Sequence, residues 1–91
     1  MKLAEKEIQK KLKDLKNWHL KEDKLFAEYE FKDFKETFAI MTRIAFEAEK
    51  LQHHPEWKNT YNTLEIFLTT HDENGITEKD FELAKSIDKI I

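Results

Sequence analysis

The chain contains one proline, Pro55, and it falls at the end of a long amphipathic run. Proline cannot continue a helix, and the residue before it is pushed out of the helical region, so a helix arriving from Asp33 must stop there and the chain must turn. Within this corner, Glu49-Lys50-Leu51-Gln52-His53-His54-Pro55-Glu56-Trp57, stand two of the four histidines. Imidazole exchanges protons near neutrality, its ordinary pKa being about 6.5. The pair therefore points to proton-transfer chemistry, and the competing account is a helix end that gathers cations at its negative dipole pole.

The segments around the corner follow from their periodicities. Upstream, Phe34, Phe38, Met41, Ala45 and Ala48 recur at steps of three and four, with Ile40, Ile44 and Leu51 widening the stripe. This predicts a helix capped by Asp33, its apolar side serving as core or as an oligomer seam. Ile8, Leu12 and Leu15 predict an opening helix from Lys2 to Lys16 that ends near Asn17. Trp18 to Leu20 and Leu25 to Phe31 alternate as strands around a Glu22-Asp23-Lys24 turn, with Leu25, Ala27, Tyr29 and Phe31 sharing one face.

Beyond the corner, Trp57 to Tyr61 and Leu64 to His71 form a second strand pair around Asn62, so that His71 ends a strand. Asp72-Glu73-Asn74-Gly75 is a turn in which glycine is expected to supply the left-handed conformation. Thr77 then caps a final helix, with Asp80 at its third position and Ile76 stapled onto Phe81. Helix, hairpin, helix, hairpin, helix predicts one α+β domain over residues 1–91: a four-stranded antiparallel sheet with three helices packed on one face.

A domain of this size buries only roughly 60 to 70% of its unfolded surface. Seven Phe, two Trp and two Tyr are a heavy load for so small a core, so a homodimer or homotetramer is expected. Sixteen basic against nineteen acidic side chains give a net charge of -3 with the signs interspersed, which argues against direct nucleic-acid binding. Lys10, Lys11, Lys13 and Lys16 read as a solvated helix face. Cysteine is absent, which removes disulfide and thiolate chemistry. No signal segment or membrane-spanning apolar run is visible, and a cytoplasmic protein is the expectation.

Glu49, His53-His54-Pro55, Tyr61, His71 and Asp80 form a spaced pattern, with familiar text around it in Phe31-Lys32-Asp33-Phe34, Met41-Thr42-Arg43, Pro55-Glu56-Trp57, Tyr61-Asn62 and Thr70-His71. In these residues the chain resembles the pterin-4a-carbinolamine dehydratase family, also known as the dimerisation cofactor of a homeodomain transcription factor. The likeness covers nearly everything after the first helix. Gln52 departs from it, since animal members carry aspartate there.

The resemblance implies dehydration of 4a-hydroxytetrahydropterin to quinonoid dihydropterin in tetrahydrobiopterin recycling, with the pterin as substrate and no metal or redox cofactor. It assigns His53, His54 and His71 to catalysis and Glu49, Gln52, Trp57, Thr69, Thr70, Asp72 and Asp80 to the substrate pocket. Three imidazoles in one cleft would not all be charged together, which divides them into acid and base. Glu49, one helical turn before His53, is expected to orient that ring or to bind pterin N-H groups. Trp57 either stacks on the pterin or is buried packing. Asp80 is either a first-turn acid near the helix dipole or a partner of His71. His19 lies outside the pattern. Two further classes compete: a three-imidazole zinc site, and a protein-interaction module, because animal members also bind a transcription factor's helical segment.

Overall fold

The computed structural model describes residues 1–91. In chain order it runs α1 (Glu5–Leu12), β1 (His19–Lys21), β2 (Lys24–Glu30), α2 (Phe34–Leu51), β3 (Glu56–Thr60), β4 (Thr63–Leu68), a 3-10 turn (His71–Glu73) and α3 (Glu78–Ile90). The four strands form one antiparallel sheet in the order β1-β2-β4-β3. The expected α+β architecture is therefore present.

Alternation along the central strands explains where the core lies. Leu25, Ala27 and Tyr29 of β2 and Leu64, Ile66 and Leu68 of β4 turn to one face and are buried. They join Ile8 of α1, Ile44 and Ala48 of α2, and Phe81, Ala84 and Ile87 of α3 in one apolar cluster. On the opposite face Phe26 and Phe67 meet across the strands with ring centroids 4.7 Å apart, and Lys21 lies 4.5 Å above the Phe26 ring. At the edge of the core Asp88 accepts hydrogen bonds from the Trp18 indole and the Tyr29 hydroxyl, each 3.0 Å. Burial first, and then the Asp88 carboxylate, pushes the Tyr29 phenol well above its ordinary value of 10.0.

Four local expectations need correction. First, α1 is shorter than Lys2 to Lys16. Ala4 is extended, and the Leu3 N-H bonds the Ile76 carbonyl at 2.8 Å, so the start is held away from a helix; after Leu12 only turn bonds from Asp14 to Lys11 and Leu15 to Leu12 remain. Second, the β1–β2 connection has two residues rather than three. Glu22 and Asp23 both adopt left-handed backbone (φ 54° and 60°), the hairpin geometry that follows the strand twist.

Third, Gly75 is not the left-handed residue of its turn; Asn74 is, at φ 58°, a conformation its short polar side chain tolerates. Fourth, α2 faces the core with Thr37, Ile44 and Ala48, supported by Ile40, Met41 and Leu51. Phe34 and Phe38 are 46% and 55% exposed, and Ala45 is exposed as well. The sequence carries two adjacent stripes, and Thr37 can occupy the buried one because its hydroxyl donates to the Asp33 carbonyl at 2.8 Å.

Candidate active site

Two chain reversals build the site. At the end of α2 Gln52 adopts left-handed backbone (φ 54°), its N-H donating to the Ala48 and Glu49 carbonyls, and the His53 N-H also reaches Ala48 at 3.0 Å. These bonds satisfy carbonyls that a helix end leaves open. The Gln52 side chain adds a fourth, from its amide nitrogen to the Glu49 carbonyl at 2.7 Å. The reversal sends the neighbouring imidazoles different ways: the His53 side chain is 10% exposed, that of His54 58%.

The second reversal starts α3. Thr77 and Asp80 form a capping box, with the Thr77 N-H donating to Asp80 Oδ2 at 2.9 Å and the Lys79 N-H to Thr77 Oγ1 at 3.2 Å. The Asp80 side chain is wholly buried and also accepts from the Thr70 hydroxyl (2.9 Å) and from His53 Nε2 (2.5 Å). Thr70 has one hydroxyl proton and gives it to Asp80. The 2.8 Å contact between the two threonine hydroxyls is then donated by Thr77. A buried carboxylate is tolerated here because each of its oxygens is hydrogen-bonded.

These bonds fix the His53 ring. An ionised carboxylate only accepts, so Nε2 carries a proton toward Asp80 and Nδ1 is the nitrogen left for other chemistry. His54 has a carboxylate partner of its own in Glu49, whose Oε2 lies 2.5 Å from Nε2, in an exposed setting.

His53, His54 and His71 line one polar hollow of about 240 Å³, together with Gln52, Thr69, Thr70, Asp72 and Lys79. Its size suits a compact heterocycle rather than a long ligand, since pockets for drug-sized molecules start at about 300 Å³. Its chemistry is that of proton donors and acceptors facing one small space. No group of three or more His, Cys, Asp or Glu side chains is arranged to hold a metal ion.

Four expectations about individual residues change. Asp80 holds His53, not His71. Glu49 holds His54, not His53, because the left-handed Gln52 rotates the chain between them, and Glu49 stays outside the hollow. His71 does not end a strand: β4 stops at Leu68, and paired bonds between Thr70 and Gly75 (2.9 and 3.3 Å) close a loop in which His71 begins the 3-10 turn. Trp57 lies opposite Ile66 in the sheet and packs on the core, away from the hollow. Lys79 was missed. Its signal was its place between the two capping-box residues, which bring it to the rim of the hollow that Thr70 also lines.

The family model described as "Pterin 4 alpha carbinolamine dehydratase" matches residues 1–90. A "Putative pterin-4-alpha-carbinolamine dehydratase" of Christiangramia forsetii is 53% identical over 90 residues, covering 99% of this chain and 93% of that protein. A protein of Solibacter usitatus bearing the same description is 51% identical over 89 residues, covering 98% and 94%. Among solved structures, the "transcriptional coactivator/pterin dehydratase from Brucella Melitensis" superposes with TM-score 0.96 at 39% identity, over 99% of this chain and 98% of its own. A "pterin dehydratase-like protein" identified as a RuBisCO assembly factor in the alpha-carboxysome shares the fold, with TM-score 0.69 at 19% identity over 82% of this chain and 89% of its own. The chain belongs to the pterin 4 alpha carbinolamine dehydratase family.

Proposed function

We propose that this protein dehydrates a 4a-hydroxytetrahydropterin to quinonoid dihydropterin and water, returning the pterin to the pool used by an aromatic hydroxylation reaction. The observation that carries the reading is the buried Asp80 carboxylate locked onto His53 at the wall of a hollow that two further imidazoles share.

In this scheme His53 is the acid. Its imidazolium charge is balanced by Asp80, and Nδ1-H delivers a proton to the 4a-hydroxyl as the C4a-O bond breaks, so that water departs. His71 is the base. It takes the proton from N5, and the electrons of that N-H bond form the N5=C4a double bond. One proton enters and one leaves, and passage of a proton from His71 back to His53 through solvent resets the site. His54, steadied by Glu49, binds the substrate edge with Gln52, Thr69, Thr70, Asp72 and Lys79. An acid and a base each typically contribute about 100- to 10,000-fold, and the scheme draws on no metal or redox cofactor.

The test is turnover of synthetic 4a-hydroxytetrahydropterin by the parent and by His53→Ala, His54→Ala and His71→Ala. The largest losses in kcat are expected for His53 and His71, with a KM effect dominating for His54. Three variants with parental turnover would refute the reading.

A second reading, a protein-interaction module, is favoured by the exposed row of Phe34, Phe38 and Phe46 on α2, the last of them 71% exposed. Contiguous exposed apolar surface marks association sites, and self-association to a homodimer or homotetramer is the use proposed for it here. No helix is long and apolar enough to cross a membrane, which accords with a cytoplasmic setting.

A further inference from the structure

His53 and His54 are each held by a carboxylate, Asp80 and Glu49, whereas His71 is paired with none, so its ring goes where its loop goes. That loop leaves the sheet after Leu68. Its own bonds, between Thr70 and Gly75, from the Glu73 N-H to Thr70 and from the Asn74 N-H to His71, begin and end within it. They give the loop its shape and leave its seat on the molecule to its two ends.

The leading end is fixed by the Thr70 hydroxyl on Asp80. At the trailing end the Ile76 side chain is buried, and Gly75 stands between it and the loop. Gly75 has no left-handed φ, so its conformation does not call for glycine. What glycine supplies is space: a Cβ there would lie 2.8 to 2.9 Å from Cγ, Cδ and Cε of Lys2, well inside the ordinary carbon contact of about 3.5–4.0 Å. Leu3 follows, partly buried on the core, and its N-H donates to the Ile76 carbonyl at 2.8 Å. Glycine leaves the backbone at its position free to pivot. The Lys2 stem and the Leu3 amide together take up that freedom.

Resting on the role given to His71 above, we infer that Lys2 and Leu3 form a strap that positions His71 to take the proton from N5. Both are positioning residues. Lys2 acts through the aliphatic part of its side chain, while its ammonium stays in water. Leu3 acts through its backbone N-H and the packing of its side chain. Lys2, Leu3, Gly75 and His71 border one hollow beside the three-imidazole site, so the tie lies close to the ring it steadies. A displacement of about 1 Å in a reacting group can cost about 100-fold in rate, so a small contact here acts on turnover more than on stability.

The test combines dehydration kinetics with nitrogen NMR of the imidazoles in the full chain, at a temperature where each variant is folded. Lys2→Ala and Gly75→Ala should each lower kcat about tenfold while KM stays within about twofold. The two together should cost no more than either alone, because both break one contact. Lys2→Met keeps the stem without the charge and should turn over like the parent. Leu3→Pro, which removes the N-H, should lower kcat as well. Ring signals should shift for His71 and hold for His53. Parental kcat in Lys2→Ala and Gly75→Ala, additive losses, an equal loss in Lys2→Met, or equal shifts at both rings would overturn the inference, the last by revealing general loosening. Should Leu3→Pro fail to fold, the Lys2 and Gly75 variants decide alone. Parental turnover in His71→Ala would instead remove the base assignment on which the inference rests.

Discussion

Exchanging Asp80 for Asn changes one atom and tests the site's central contact. Asp80 uses Oδ2 to accept from the Thr77 N-H and the Thr70 hydroxyl, and Oδ1 to accept from His53 Nε2. An asparagine carbonyl can replace only one of these oxygens. Because the Thr77 amide is a donor that cannot reverse, the carbonyl should stay on that side, placing the NH2 group against His53. Nε2 must then accept, so the ring becomes neutral with its proton on Nδ1.

A neutral imidazole N-H is a poor acid, and the charge that balanced an imidazolium has gone. The kcat for dehydration should therefore fall by at least about 100-fold, the lower end of what a positioned acid supplies, while KM changes little. The charge-assisted bond to His53 is also lost, so denaturant unfolding should show a cost of about 1.5–3 kcal/mol. Stopped-flow dehydration measures the first quantity, and nitrogen NMR of the ring reports the tautomer. Parental kcat in a variant whose ring has changed tautomer would refute the role given to His53. An unchanged tautomer would refute the account of the contact itself.

Further outcomes follow from other parts of the structure. The Tyr29 phenol is held above its ordinary value, so its contribution is complete below about pH 10, where the unfolded phenol ionises, and is lost as pH rises from there through the folded value. Urea unfolding should thus weaken above pH 10 in the parent and less steeply in Tyr29→Phe, which at neutral pH costs about 1 kcal/mol for the bond to Asp88; equal alkaline slopes would contradict this. If the exposed row on α2 is a self-association seam, Phe38→Glu should lower the mass measured by light scattering to that of one chain. An unchanged mass would move the seam elsewhere.

What the sequence revealed was local. The capping box of Thr77 and Asp80 and the break at Pro55 each involve residues a few positions apart, where backbone chemistry alone decides the outcome. The spaced histidine pattern added the family and therefore the fold. Asp80 and His53 are 27 positions apart, and their meeting depends on how far α2 runs and on where β4 ends, which no short window records. Glu49 goes to His54 because of one backbone angle at Gln52 that residue type does not dictate. The two stripes of α2 both had helical spacing, and only the placement of the sheet decides which is covered.

The carboxyl group of Asp80 also begins α3, and this ties foldedness to reactivity. A descendant that abandoned the chemistry could not simply drop that side chain, because the closing helix would lose an acceptor for its first free amide. Loss of turnover by drift at this position would therefore come with a less cohesive protein, and a relative that keeps the shape for another purpose has reason to keep the acid.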